Sequence, residues 1–464
     1  MIPETTLKIA GHDHEKVRRH LYPGDGCEAA AILVCTRVPG SPQQLLVQST
    51  LLVPHKDCAR REPDRLTWPG DWLEKGIEAG EASDKTLILI HSHPGGLFTF
   101  SQADDESDAE VMPCIFSAYG TLHGTAIMTP DGAIRARVYS PKLERRTVDK
   151  IMVAGDDIRV WWGDAPWNAP RGRPLAFTKG MTTELGRLRA VVIGVSGTGS
   201  IVTEEAARLG FGSILLIDFD TVETKNLNRI LNSTLADAAA GRSKTEMMAA
   251  AIARYRGPGV AVPLNASIAT REAVLAVSQA DVIFSCTDTL ESRMIAERLS
   301  AAFLIPLFDV GVVIPAGTGP NGPRIEDVMG RVDYVQPGGS NLFDRGVYTS
   351  AGLREEQLRR DDPAQYQQLQ DEGYIKGLTE EAPSVITLNM AAAAACMNEF
   401  VARAYPYRHD GNAGAARTIF SLAAREHDYY PDAFCKTGDD PLFAQGTAEP
   451  LLGLTMLDEP EGQS

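Results

Sequence analysis

Seven cysteines among 464 residues, at positions 27, 35, 58, 114, 286, 396 and 435, make no C-x-x-C pair and follow no regular spacing. That scarcity excludes a disulfide framework and a thiolate zinc cage, so any metal must be held by histidine and carboxylate. No apolar run approaches the roughly 18–20 residues needed to cross a bilayer. The N-terminal MIPETTLKIAGHDHEK lacks the basic-then-apolar layout of a signal peptide, and a cytoplasmic location is expected. No basic block interrupts a chain of formal net charge -16. Phosphate-backbone binding needs clustered Lys and Arg, so nucleic acid is not an expected partner, nor is a membrane. Internal repeats are also missing. What remains is ordinary globular composition, 44% hydrophobic and 23% charged, in a length that suits two or three domains.

The first unit runs to about residue 155. It opens with a helix-like stretch from His14 to Leu21 and a YPGDG turn, followed by apolar strand patterns at Ala29 to Cys35 and Thr86 to Ile90. WWGDAPWNAPRGRP at 161–174, rich in Trp, Pro and Gly, reads as the centre of a linker over 156–180. The second unit, 181–425, begins with the buried-type strand AVVIGV, a glycine turn, the helical TEEAARLGF and a second strand, SILLIDFD. Strand, glycine turn, helix and strand within about 30 residues make a βαβ unit of a parallel sheet. Polar, Gly/Pro-rich sequence at 318–382 reads as an inserted crossover segment, the Ala-rich helix 385–403 resumes the pattern, and 426–464 reads as a tail.

HSHPGGLFTFSQADD follows the apolar TLILI. Two residues apart on a strand, His91 and His93 point to one side. Ser101 looks like a helix N-cap, with Asp104 on the helix it starts. Two imidazoles and a carboxylate make a three-ligand set that leaves a fourth zinc position for water, which ionises near neutral pH. A nearby carboxylate must take that proton; Glu28 beside the first strand is the best placed, with Glu62 and Glu74 as alternatives. The pattern H-x-H, seven residues, Ser, two residues, Asp resembles the JAMM motif of the MPN/JAB metalloprotease family. The resemblance implies an α+β domain that removes or trims ubiquitin-like tags. In it His91, His93 and Asp104 would ligate zinc, Glu28 would deprotonate the water, and Ser101 would stabilise the tetrahedral oxyanion.

The turn Gly194-Val195-Ser196-Gly197-Thr198-Gly199 lets backbone amides approach a phosphate at a helix N-terminus. Asp218, ending the next strand, is placed for a ribose hydroxyl, which fits NAD about as well as ATP. The continuation separates the two. Asn226, Arg229 and Lys244 beyond that strand suit a triphosphate, and Asp288 at another strand end could hold magnesium. These residues closely resemble the ThiF/MoeB-type adenylation fold, a Rossmann-like doubly wound domain shared with ubiquitin-activating enzymes. The resemblance departs at Ser196, where the family usually has Gly. It implies ATP–Mg, with Asp218 on ribose, Asn226, Arg229 and Lys244 on phosphates, and Asp288 on magnesium. It also implies a homodimer, an arginine donated in trans with Arg173 in a plausible place, and a ubiquitin-like protein whose C-terminal glycine carboxylate is adenylated.

Many enzymes of that superfamily pass the adenylate to their own cysteine. Between Asp288 and Cys396 this chain has none; in GRVDYVQPGGSNLFDRG, Ser340, Asn341 and Asp344 occupy the neighbourhood. Three routes stand open: direct transfer to a partner's nucleophile, which is preferred, a thioester on Cys435, or an oxyester on Ser340. Cys286 and Cys396 read as packing residues. The expected function is a bifunctional enzyme of a bacterial ubiquitin-like pathway, with a conjugating enzyme as acceptor. The alternatives are sulfur-carrier activation and trimming, or a scaffold with a decayed site.

Overall fold

The computed structural model describes residues 2–168, 171–319, 322–371, 385–432 and 440–457. Two compact units divide the chain: one runs to Arg173 and includes Ala302–Leu304 and the stretch ending at Ala448, and the other holds the rest.

In the first unit nine strands form one mixed sheet, in the order Ile158–Trp162, Lys150–Ala154, Thr5–Ala10, Gln43–Leu52, Ala30–Val38, Thr86–Ser92, His123–Met128, Ile134–Tyr139 and Arg145–Thr147. Both faces are covered, which is why the central strands read as continuous apolar runs. Along Ala30–Val38 the side chains alternate between two cores: Ala31, Leu33 and Cys35 join the core under helix Gly11–Leu21, while Ile32 and Val34 join the one containing Met112 and Ile115 of helix Gln102–Ala118. On Thr86–Ser92, Ile88 and Ile90 fall in the first core and Leu87 and Leu89 in the second. The period of two therefore carries His91, and His93 just past the strand, to the side of helix Gln102–Ala118.

The second unit is built on an eight-stranded sheet. Five parallel strands run in the order Ala261–Leu264, Ser213–Ile217, Arg189–Ile193, Val282–Ser285 and Leu307–Val313. Met329–Val335, Arg417–Ser421 and Glu426–Tyr430 then add antiparallel. Arg189–Ile193 is flanked by the strand that follows it on one side and by the later Val282–Ser285 on the other. That reversal of order opens a ligand crevice at the carboxyl ends of doubly wound strands. This is the Rossmann-like architecture, following an α+β first domain.

The sequence boundaries and the structure differ in three places. Strand Ile158–Trp162 lies inside the stretch read as a linker, paired with Lys150–Ala154; its alternation I-R-V-W-W is masked by the Trp/Gly/Pro-rich residues after it. Within 318–382 stand the sheet strand Met329–Val335 and helices Ser350–Asp361 and Pro363–Asp371. In the stretch read as a tail, Glu426–Tyr430 is an edge strand whose five residues are all exposed, so no apolar signal marks it. Further on, Leu451, Leu452 and Leu457 are buried, and Arg298 and Arg271 donate to the carbonyls of Leu452 and Leu457.

Candidate active sites

The first site gathers around two imidazoles. His91 Nε2 and His93 Nε2 lie 3.1 Å apart, and Asp104 Oδ1 and Oδ2 stand 3.0 and 3.5 Å from them. Those separations match the edges of a tetrahedral zinc site, roughly 3.3 Å for metal–nitrogen bonds of ~2.0–2.1 Å. A neutral His93 that donates from Nδ1 to the Leu97 carbonyl, 2.8 Å away, would present its Nε2 lone pair to a metal in place of its hydrogen bond to Asp104. Burial alone would raise the Asp104 carboxyl, but hydrogen bonds from His91 and His93 outweigh it and hold the group well below the carboxylate range. For His93 burial acts downward, yet Asp104 and the Leu97 carbonyl leave it raised.

Asp104 also belongs to its helix. Ser101 Oγ accepts from Asp104 N at 3.2 Å, and Asp104 Oδ2 accepts from Ser101 N at 2.6 Å, a reciprocal capping box. Ser101 thus spends an acceptor site on the cap and keeps its O–H to donate. One turn on, Asp108 Oδ2 receives Arg137 Nε, Thr125 Oγ1 and Tyr139 O–H at 2.7–2.8 Å, fixing the helix to strands His123–Met128 and Ile134–Tyr139. Arg135 donates to the Phe98 carbonyl and Arg171 to the Gly96 carbonyl, bracing the loop after His93. Sequence reading singled out none of these six side chains, because their partners lie far away along the chain.

Glu28 comes together with the histidines: one carboxylate oxygen and the two ring nitrogens all lie within 4.8 Å of one another. Pairing of Ala30 with His91 across two strands brings it there. Ser92, between the histidines, accepts from the Ala29 amide through Oγ at 2.9 Å and donates its own amide to the Ala29 carbonyl. Burial raises the Glu28 carboxyl above its ordinary value, with the histidines opposing. The alternatives sit elsewhere. Glu62 is half exposed and pairs with Arg60, and Glu74 is an exposed residue of helix Gly70–Glu81. A cleft of about 510 Å³ includes Glu28, His91, Ser101 and Asp104 in its lining, with Leu66 and Trp68.

The second site lies at the sheet's reversal point. Gly194 has φ +84°, and a Cβ there would strike the Cys286 carbonyl at 2.8 Å; one on Gly199 would fall 1.7 Å from the Gly194 carbonyl oxygen. Only glycine allows this packing. Ser196 supplies no side-chain cap to helix Gly197–Leu209, so its first amides face the crevice without intrahelical partners. Asp218 accepts from Val195 N at 2.7 Å and Asp220 N at 2.9 Å, holding the turn. Burial raises its carboxyl, against the pull of Lys244. Lys244 Nζ is buried, 2.7 Å from Asp220 and 4.0 Å from Asp218. Asn226 is buried and accepts from Glu223 N, and its carbonyl takes the Arg229 amide. The Arg229 stem reaches the Gly197 corner. Asp288 is exposed, one residue after Thr287, whose Cα packs beside Gly194.

The remaining candidates separate from these sites. Ser340 is 1% exposed, with its Oγ bonded to Asp432 and to Arg345 Nε. Asn341 and Asp344 close a local turn. Cys286 is half buried under the glycine turn and Cys396 is buried; Arg173 is half buried. Cys435 lies outside the described residues.

In this doubly wound sheet the reversal point carries a glycine turn and an uncapped helix, with Lys244, Arg229 and Asp218 close by. The chain belongs to the ThiF family, whose model matches residues 173–419; residues 12–137 match the model for prokaryotic homologs of the JAB domain. It is thus a fusion of a JAB-type domain with a ThiF domain. Ubiquitin-like modifier-activating enzyme 5 of Caenorhabditis elegans is 28% identical over 210 residues, 41% of this chain and 46% of that protein. Molybdopterin-synthase adenylyltransferase of Escherichia coli K12 is 32% identical over 106 residues, 23% of this chain and 41% of that one. The chain therefore spans less than half the length of either. A crystal structure of E. coli MccB with ATP overlays at TM-score 0.41 and 17% identity, covering 57% of this chain and 68% of that one. No helix among the described residues is long and apolar enough to cross a membrane.

Proposed function

We propose that the chain is a bifunctional enzyme of a ubiquitin-like pathway: a zinc-dependent (iso)peptidase joined to an ATP-dependent adenylating domain. The observation that supports this reading is that His91, His93, Asp104 and Glu28 gather in one cleft of the first unit, while an uncapped helix amino end stands after the glycine turn of the second. His91, His93 and Asp104 would hold zinc, which supplies a water acidic enough to be a nucleophile near neutral pH. Glu28, kept basic enough by burial, takes the water's proton and returns it to the departing amine. The Ser101 O–H donates to the oxygen that becomes negative when the amide carbon turns tetrahedral.

In the second domain the amides of Gly197 to Gly199, with Asn226, Arg229 and Lys244, would hold the phosphates, Asp218 would hold the ribose and Asp288 a magnesium ion, which would supply charge neutralisation. The C-terminal carboxylate of the ubiquitin-like protein attacks the α-phosphorus, its bond to pyrophosphate breaks, and an acyl-adenylate remains. Direct transfer to a conjugating enzyme follows, supported by the burial of Ser340 between Asp432 and Arg345 and by the lack of cysteine between Asp288 and Cys396. The match to a molybdopterin-synthase adenylyltransferase favours a second reading, in which the activated protein is a sulfur carrier. In either case the domain is proposed to act as a homodimer in the cytoplasm.

The test is pyrophosphate exchange with candidate ubiquitin-like proteins that end in glycine, followed by acyl-enzyme trapping. Exchange without a thiol-labile adduct is expected. A thioester lost in Cys435→Ala would refute direct transfer, and absence of exchange would refute adenylation.

A further inference from the structure

The amino end of helix Gly197–Leu209 receives a side chain from far along the sequence. Asn389 stands in the first turns of helix Ile386–Ala404, and its Oδ1 accepts from Thr198 Oγ1 at 3.3 Å. A Cβ on Gly197 would fall 2.4 Å from Asn389 Nδ2 and 3.4 Å from Arg229 Cδ, so amide, glycine and arginine stem share one corner. Asn389 is 2% exposed, and Nδ2 is buried with no hydrogen-bond partner among the described residues. A buried amide donor left unpaired opposes folding, and an apolar side chain could pack on Gly197 without that cost. The donor instead sits beside helix amides that also lack partners.

We propose that Asn389 is a nucleotide-binding residue: with an ATP phosphate seated at the amino end of Gly197–Leu209, Nδ2–H donates to a phosphate oxygen. This rests on the adenylation reading and adds to it a neutral, directional contact, where Arg229 and Lys244 supply charge. The Arg229 guanidinium now bonds two neutral oxygens, the Lys225 carbonyl at 3.1 Å and Asn228 Oδ1 at 3.2 Å. A phosphate offers it a stronger, charge-assisted bond.

The experiment is calorimetric titration of the full chain with ATP–Mg and with adenosine, for wild type, Asn389→Ala and Asn389→Asp. Losing one hydrogen bond to a charged group should weaken ATP about tenfold in Asn389→Ala, and more in Asn389→Asp, which sets a carboxylate against phosphate. Adenosine affinity should stay within about twofold, because it has no phosphate to lose. A merely structural role would weaken both ligands alike and lower the melting temperature of the free chain. Wild-type ATP affinity in Asn389→Asp, or equal losses for both ligands, overturns the proposal alone. No ATP binding by the wild-type chain overturns the adenylation reading and the proposal together. Should Asn389→Asp fail to fold, Asn389→Ser, which is too short to reach, is read by the same criteria.

Discussion

The zinc-type cleft and the nucleotide cradle solve opposite problems. In the cleft, His91, His93 and Asp104 stand 3.0–3.5 Å from one another. In the cradle the cations already hold partners: Lys244 bonds Asp220, and Arg229 bonds a carbonyl and an amide oxygen. On the proposed reading, the cleft's ligand groups already converge on one point, whereas the cradle's cations must turn from their present partners to the substrate. Loss of one cleft ligand should therefore act all-or-none, while loss of one cradle group should act by degrees.

The largest effect is expected from His91→Ala or His93→Ala, which should abolish stoichiometric zinc and isopeptide hydrolysis together. Unchanged metal content, measured by atomic absorption, would remove the ligand assignment. Next comes Glu28→Gln: a proton-transfer group lost without a ligand should cost ~10²–10⁴-fold in hydrolysis with zinc retained. Activity within a few-fold of wild type would return the base role to another group. Lys244→Ala should slow pyrophosphate exchange by ~10²-fold or more while leaving hydrolysis untouched; a fall in both would contradict the separation of the two sites.

The smallest effect concerns stability. Burial raises Glu297 to about 7, despite hydrogen bonds from Tyr348 O–H and Phe343 N. A carboxyl raised above its unfolded value of 4.5 stabilises fully below that value. The contribution, up to about 3 kcal/mol, is lost as pH rises through 7. Denaturant unfolding should show wild type losing stability between pH 5 and 8 relative to Glu297→Gln. Parallel profiles would mean that Glu297 does not titrate in that window.

Both sites offered their candidate residues in the sequence, the cleft in one compact motif and the cradle in residues scattered from Gly194 to Asp288. The cleft's ligands lie on one strand end and the first turn of the next helix, so local spacing places them. Glu28 needed more, because strand pairing, which is long-range, distinguishes it from Glu62 and Glu74. The glycine turn was equally local, since positive φ and close approach admit no other residue at Gly194. Asn389 was hidden: in an Ala-rich helix it reads as packing, and only the sheet's topology returns that helix to the Gly197 corner. The limits of the second unit were blurred where strands such as Glu426–Tyr430 expose every side chain and so carry no apolar period.

Ser92 gives the residue between the two histidines a purpose beyond spacing. Bonded both ways to Ala29, it ties the two histidines to the backbone next to Glu28. On the proposed reading, a disturbance that shifts the strand carries Glu28 and the two histidines along together, so the cleft should stay aligned until that strand separates from its neighbour. Inactivation on heating should accordingly be abrupt, without a misaligned, partly active state beforehand.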